Sequence, residues 1–175
     1  MALCGLFAAL TTVCAWISIP LGFTPVPVNL ATLAVFLSGA LLGPKFGPIS
    51  QIVYTLAGAV GIPVFAQFKG GFGVLAGPTG GYIIGYIVAS LITGLLIAVL
   101  LREGDKSRAV SIGVYVFAMI CGLAACYALG TLWFMISTHT GLAASMAMCV
   151  IPFLPGDALK IIAATLLARR LKRFL

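Results

Sequence analysis

The stretch Pro152-Phe-Leu-Pro-Gly-Asp-Ala-Leu-Lys160 decides how this chain is read. It sets a carboxylate, Asp157, three residues before an ammonium, Lys160, at the head of a mostly apolar run that closes on Arg169, Arg170, Lys172 and Arg173. At ~1.5 Å rise per helical residue, Asp157 stands ~18 Å and Lys160 ~13 Å from that basic cluster. If the cluster marks a membrane surface, both charges fall inside a hydrocarbon core of about 30 Å. A charge at that depth costs at least ~2.5 kcal/mol, so the pair marks a functional site by default.

Composition supports the membrane premise. The 175 residues are 62% hydrophobic and 7% charged, against about a quarter charged in soluble domains. So few charges cannot cover a soluble surface, and the chain is read as an all-α integral membrane protein lying in the lipid bilayer. At ~20 residues per span the length suits one domain, 1–175, of six transmembrane helices. The net charge of +7 does not point to nucleic acid, because the basic residues sit in short clusters at the ends of apolar runs. The cysteines Cys4, Cys14, Cys121, Cys126 and Cys149 lie in apolar runs without C-x-x-C spacing. They read as buried hydrophobes, and no metal site follows. Met1-Ala-Leu-Cys-Gly-Leu6 lacks the basic region of a signal peptide, so the first run reads as a mature helix.

The expected spans are residues 2–19, 29–42, 48–61, 81–101, 109–136 and 156–174. The first carries Gly5-x-x-x-Ala9, a small-residue pattern that admits a close neighbouring helix, within this protein or outside it. Residues 20–28 hold three prolines and form an extended loop over the outer mouth. Asn29 is either an N-cap or a ligand contact. Gly43-Pro-Lys-Phe-Gly-Pro48 is a tight turn. Gln51, Tyr54 and Thr55 share one helix face, directed to the interior or to a cavity. Residues 62–81 contain six glycines, two prolines and three phenylalanines. Non-helical backbone near a membrane has to be buried or line a cavity, so this segment reads as a lid rather than a surface loop. Tyr82 and Tyr86 follow on the fourth span. Trp133 is an interfacial anchor, His139 a neutral surface residue, and 142–151 a short helix against the mouth.

Charge placement orients the bundle. Lys45 follows span two, the loop Arg102-Glu-Gly-Asp-Lys-Ser-Arg108 follows span four, and the terminal cluster follows span six. Alternating helices put all of these on one side, which the positive-inside rule makes the cytoplasm, with both termini there. The remaining polar groups, Lys69, His139, Asp157 and Lys160, fall to the outer side. They imply an outward-facing pocket covered by loops.

No catalytic constellation is present. H-E-x-x-H and G-x-S-x-G are missing, a carboxylate dyad would need a second buried acid, and Gly77-Pro-Thr-Gly-Gly-Tyr82 is not a Walker A loop. The chain therefore reads as a binding or carrier protein, not an enzyme, with no cofactor. At i, i+3 the Asp157–Lys160 pair is either a structural ion pair or a direct ligand anchor. A proton-coupled secondary carrier working through Asp157, and a membrane scaffold without a ligand, are the competing classes.

Four segments carry a family resemblance: Pro25 to Pro44, Gly58 to Ala66, Gly70 to Tyr82, and Pro155-Gly-Asp-Ala-Leu-Lys160. Each resembles the corresponding run of the BioY family, the biotin-binding S components of energy-coupling factor (ECF) transporters. The resemblance covers nearly the whole chain, with the glycine lid its most specific part and span five its least. It implies the ECF S-component fold, capture of biotin as ligand on the outer face, and partnership with a transmembrane coupling protein (the T component) and two cytoplasmic ATPases. It also implies docking on the coupling protein through an A-x-x-x-A motif, here Gly5 and Ala9. Asp157 is then expected to accept the ureido N–H groups. Lys160 suits the valerate carboxylate by charge, yet it emerges only one helical turn away. Both residues therefore fit the same end of biotin, leaving Lys69, Asn29, Gln51 or lid N–H groups for the other, and the ligand's polarity stays open. Phe72, Tyr82 and Tyr86 are expected to pack the thiophene ring. Tyr54, Gly73, Gly77 and Thr79 complete the expected site.

Overall fold

The computed structural model describes residues 1–101 and 108–172. Arg102, Lys106 and Arg173, which entered the charge argument, lie outside the described residues. The protein is a helical bundle of α1 (Ala2–Trp16), α2 (Ala31–Ala59), α3 (Phe72–Ala76), α4 (Gly80–Leu100), α5 (Arg108–Thr138), α6 (Leu142–Cys149) and α7 (Leu154–Leu171). A two-residue antiparallel ladder, β1 (Ser18–Ile19) with β2 (Val28–Asn29), closes the proline loop. Helix α4 packs against α2 on one side and α5 on the other, and α1 lies on α2.

Four stretches are long and apolar enough to cross a membrane: Ala31–Ala59, Gly80–Leu100, Val110–Thr138 and Leu142–Leu171. The chain is a multi-pass membrane protein. Helix α2 is two antiparallel limbs. Gly43 alone leaves helical geometry, at φ 75° and ψ −174°, a conformation open to glycine because it has no Cβ. Pro44 then starts the second limb, where a missing N–H costs nothing. The reversal is visible in the contacts. Ser38 meets Gln51, while Asn29, Thr32 and Tyr54 come together at one end of the bundle. With α1, the two limbs, α4, α5 and α7, six helices cross the bundle. The sequence predicts a six-residue turn, Gly43 to Pro48; in the structure a single glycine suffices, and the second limb begins that much earlier.

Other boundaries shift for similar reasons. Helix α7 begins at Leu154, so Pro155 occupies its first turn instead of preceding it. The first helix stops at Trp16 because residues 18–19 pair with 28–29. The 62–81 segment is not wholly irregular: it contains a 3-10 turn at Ala66–Phe68 and helix α3.

Two limbs are too short for the bilayer. Residues 31–42 rise only ~18 Å and α1 only ~22 Å, against a core of about 30 Å. The missing depth is filled by the loops at residues 17–30 and 60–79, all at the same end.

Glycines set the helix spacing. A Cβ on Gly39 would sit 2.5 Å from the Ser90 carbonyl oxygen, and one on Gly94 2.7 Å from the Gly43 carbonyl carbon. By contrast nothing lies within 4 Å of a Cβ on Gly5. Gly39→Val is therefore expected to destabilise the detergent-solubilised protein by about 3 kcal/mol, the upper end of overpacking costs. Gly5→Val should change stability by less than ~0.5 kcal/mol. Chemical unfolding of the two variants side by side measures both.

Candidate functional site

A cavity of about 90 Å³ lies at the loop-bearing end of the bundle. One water needs ~10–15 Å³ on the same measure, so the space suits a compact organic ligand. Its floor is Asp157 and Lys160, 2% and 8% exposed. Lys160 Nζ stands 2.8 Å from Asp157 Oδ1. Thr32 Oγ1 donates to the same oxygen at 3.1 Å, and the Tyr127 hydroxyl donates to Oδ2. Asp157 also lies in the first turn of α7, where the helix dipole favours a negative charge. The carboxylate thus accepts from three donors and sits at the end of a helix that favours negative charge. Lys160 has three N–H donors and one described partner, which leaves donors for a ligand.

The walls come from several elements. Tyr54 on the second limb of α2 packs edge-on against Phe65, ring centroids 5.5 Å apart, and lies 6.5 Å from Tyr86 on α4. Tyr82 lines the cavity and also bonds Thr131 of α5 at 3.2 Å. Asn29 is not the N-cap expected for the second span: that position is Leu30, and Asn29 stands one residue earlier, in β2. Its Oδ1 accepts the Ala31 N–H at 3.0 Å, securing the start of α2, and the residue lines the cavity. Pro25, Val26 and Pro27 enclose the mouth from the proline loop.

The lid is built by an unusual turn. Lys69 N–H bonds Ala66 O, and Phe65 N–H bonds Lys69 O at 2.9 Å. Between them Gln67 and Phe68 have φ of 60° and 58°, the left-handed pair that a tight two-residue hairpin turn demands. Neither is glycine, and such positions are costly for bulky residues. The turn is held from outside. Trp16 Nε1 donates to Pro63 O at 2.9 Å, and its ring lies 4.9 Å from that of Phe68. At the other end of the loop, Trp133 Nε1 donates to Gly77 O at 3.0 Å. The result puts Phe65, Gln67 and Lys69 on the cavity.

Of the residues expected at the site, the fold brings Asn29, Tyr54, Lys69, Thr79, Tyr82, Tyr86, Asp157 and Lys160 to this one cavity. Four are elsewhere. Gln51 is fully buried, and its Nε2 reaches Thr11, Ser38 and Ser50 at 3.1–3.3 Å. It ties α1 to both limbs of α2 one turn below the cavity. Phe72 and Gly73 lie on the outer side of α3, with Phe72 72% exposed, while Val74 takes the inner side. Gly77 gives its carbonyl to Trp133. The polar and aromatic lining residues that went unexpected include Thr32, Phe65, Gln67 and Tyr127, and Ile83, Leu123, Cys126, Cys149 and Phe153 join them on the walls. Thr32 lies three residues after Asn29, which on the helix expected from residue 29 is the same face. That spacing was a signal. Tyr127 stands in an unbroken apolar helix, and only the third dimension pairs it with Asp157.

Gly5 and Ala9 are exposed on one face of α1, while Ala8 and Thr12 turn inward.

Comparison with known proteins places this arrangement. A sequence model of the BioY family matches residues 1–175. The chain belongs to the BioY family. It is 42% identical over 97% of its length to the biotin transporter BioY of Thermotoga maritima, covering 93% of that protein. It is 38% identical over 98% of its length to the probable biotin transporter BioY of Pyrococcus horikoshii, covering 95% of it. Its fold superposes on the crystal structure of the S component for biotin from an ECF-type ABC transporter. That match has TM-score 0.87 and 26% identity, with 98% of this chain and 89% of that one covered. The ECF S-component fold is therefore the fold of this BioY chain, and the family is one of transporter subunits rather than enzymes.

The buried pair at the floor of the BioY cavity should be energetically coupled. Lys160→Met alone leaves a buried carboxylate without its counterion, at a cost of about 3–5 kcal/mol. Adding Asp157→Asn to the same chain is expected to recover part of that loss. A double-mutant cycle on unfolding free energy checks this; strictly additive losses would show that the two residues act independently.

Proposed function

We propose that this chain is the biotin-capturing S component of an ECF-type uptake transporter, with Asp157 and Lys160 as the ligand anchor. The observation that carries the reading is the ion pair itself, buried at the bottom of a loop-covered cavity in a chain of this family. Asp157 accepts three described hydrogen bonds, and a carboxylate has about four acceptor sites. Lys160 keeps N–H groups to donate. The floor thus offers one acceptor beside one donor. The ureido ring of biotin presents the complement, an N–H beside a carbonyl. We therefore orient biotin with its ureido ring on Asp157 and Lys160, its thiophene ring among Tyr54, Phe65, Tyr82 and Tyr86, and its valerate carboxylate toward Lys69 and Asn29 near the mouth. Charge-assisted bonds to the ring are the stronger contacts, and the tail carboxylate keeps more of its hydration.

The remaining assignments follow from this reading. The chain is one domain in the cell membrane with both termini in the cytoplasm, a placement supported by Lys45, Arg169, Arg170 and Lys172 at the end opposite the cavity. The exposed Gly5–Ala9 face of α1 docks on the T component, where small side chains allow close helix approach. Energy comes from two ATPase subunits in the cytoplasm.

Calorimetric titration of the purified protein with biotin tests the proposal. One molecule of biotin should bind per chain. Asp157→Asn should weaken it by about 2 kcal/mol or more, since a desolvated hydrogen bond to a charged group is lost. Gln51→Met should leave the affinity within about twofold. Biotinamide, with a neutral tail, should lose less than about tenfold. Absence of binding heat at micromolar protein would remove the biotin reading. A larger loss with biotinamide than with Asp157→Asn would reverse the orientation and leave the function standing.

A further inference from the structure

The bundle has a second cavity at the end opposite the first. It is an open groove of about 770 Å³ between α5 and α7. Ser111 and Tyr115, four apart, present one face of α5, and Leu166, Arg169 and Arg170 one face of α7, with Lys172 beyond them. Tyr115 is unusual here. It is only 2% exposed, and its hydroxyl has no hydrogen-bond partner among the described residues. No fully buried side-chain polar atom lacks a partner among those residues. Tyr115 lines the groove together with Arg169. No carboxylate among the described residues lines the groove.

We propose that this groove is a binding site for a phosphate group, most directly the headgroup of an anionic phospholipid. Arg169, Arg170 and Lys172 supply charge, and Tyr115 and Ser111 supply hydroxyl donors at a fixed position. Guanidinium forks match phosphate oxygens geometrically. Three cations close together on one helix end repel one another, and a bound phosphate relieves that repulsion. The lipid source is favoured by what flanks the groove. Leu166, Leu167 and Leu171 are 58%, 43% and 42% exposed, and a lipid whose phosphate sits among the basic residues would lay its acyl chains along them. Basic pockets between helices at a membrane surface hold anionic headgroups on this principle. The site is remote from the Asp157 cavity, and the inference does not rest on what that cavity binds.

Native mass spectrometry of the full-length protein in neutral detergent provides the test. The probes are phosphatidylglycerol, phosphatidylcholine and inorganic phosphate, each titrated separately. One phosphatidylglycerol per chain should be retained about tenfold more tightly than phosphatidylcholine. The double variant Arg169→Gln/Arg170→Gln should abolish that preference. Tyr115→Phe, which removes one hydroxyl without changing shape, should weaken phosphatidylglycerol several-fold and leave phosphatidylcholine alone. Inorganic phosphate that binds and displaces phosphatidylglycerol at millimolar concentration supports the phosphate site and names the free ion as its occupant. Equal retention of the two lipids with no phosphate binding overturns the site. So does undiminished phosphatidylglycerol preference in the double variant. Thermal unfolding of each variant in the same detergent serves as the folding control.

Discussion

An ion pair removed from water sets the terms for the upper half of this protein. Asp157 and Lys160 are each more than nine-tenths buried, and the effective penalty for desolvating such ions is several kcal/mol apiece. Their attraction offsets that only if the remaining lone pairs are satisfied. The chain meets this condition from three directions: the Thr32 hydroxyl from α2, the Tyr127 hydroxyl from α5, and the N-terminal turn of α7 itself. Each donor comes from a different helix. Bringing them to one carboxylate fixes the relative heights of α2, α5 and α7, so the polar floor also serves as a registration point for the bundle.

That registration leaves space above the floor. The first limb of α2 and helix α1 end below the expected membrane surface, and the chain fills the difference with loops. Irregular backbone at membrane depth has to be buried or line a cavity, and both loops do so. The proline loop contributes Pro25, Val26 and Pro27. The glycine-rich loop contributes a hairpin turn, and indole N–H groups from Trp16 and Trp133 hold the loop near its two ends, at Pro63 and Gly77. Beneath the cavity the bundle is tight. Glycines 39 and 94 bring α2 and α4 close, and Gln51, Ser38 and Ser90 form a buried polar spine.

Much of this was legible in the sequence, for identifiable reasons. Charges are expensive in lipid, so Asp157 and Lys160 declared themselves. Basic clusters recur at one end of alternate spans, so six crossings could be counted. Prolines and glycines exclude regular helix, so the two covering loops stood out. What escaped was whatever depends on which side of an element a residue takes. Gln51 and Tyr54 share a face of the second limb, yet one ends in the helix interior and the other in the cavity, because they differ in depth. Phe72 and Val74 lie two apart on a five-residue helix and point oppositely. The lid turn was invisible for another reason. Its left-handed positions are Gln67 and Phe68, while the surrounding glycines drew the expectation to themselves.

Helix α7 joins the two ends of the molecule, and its polarity assigns them different chemistry. Its N-terminal turn carries a carboxylate in the place where the helix dipole favours one, and its last turn carries Arg169 and Arg170 where cations are favoured. Both charged ends thus agree with the helix that bears them, but their surroundings differ. At the N-terminal end the charge is enclosed by donors and covered by loops, so an occupant has to match the remaining acceptor site of Asp157 and the remaining N–H groups of Lys160. At the C-terminal end Arg170 and Lys172 are exposed beside apolar side chains, so an occupant there adds contacts without displacing any described one. The first arrangement selects a ligand by its donor and acceptor pattern. The second selects only for negative charge at the edge of an apolar surface, which describes a lipid headgroup better than a cargo.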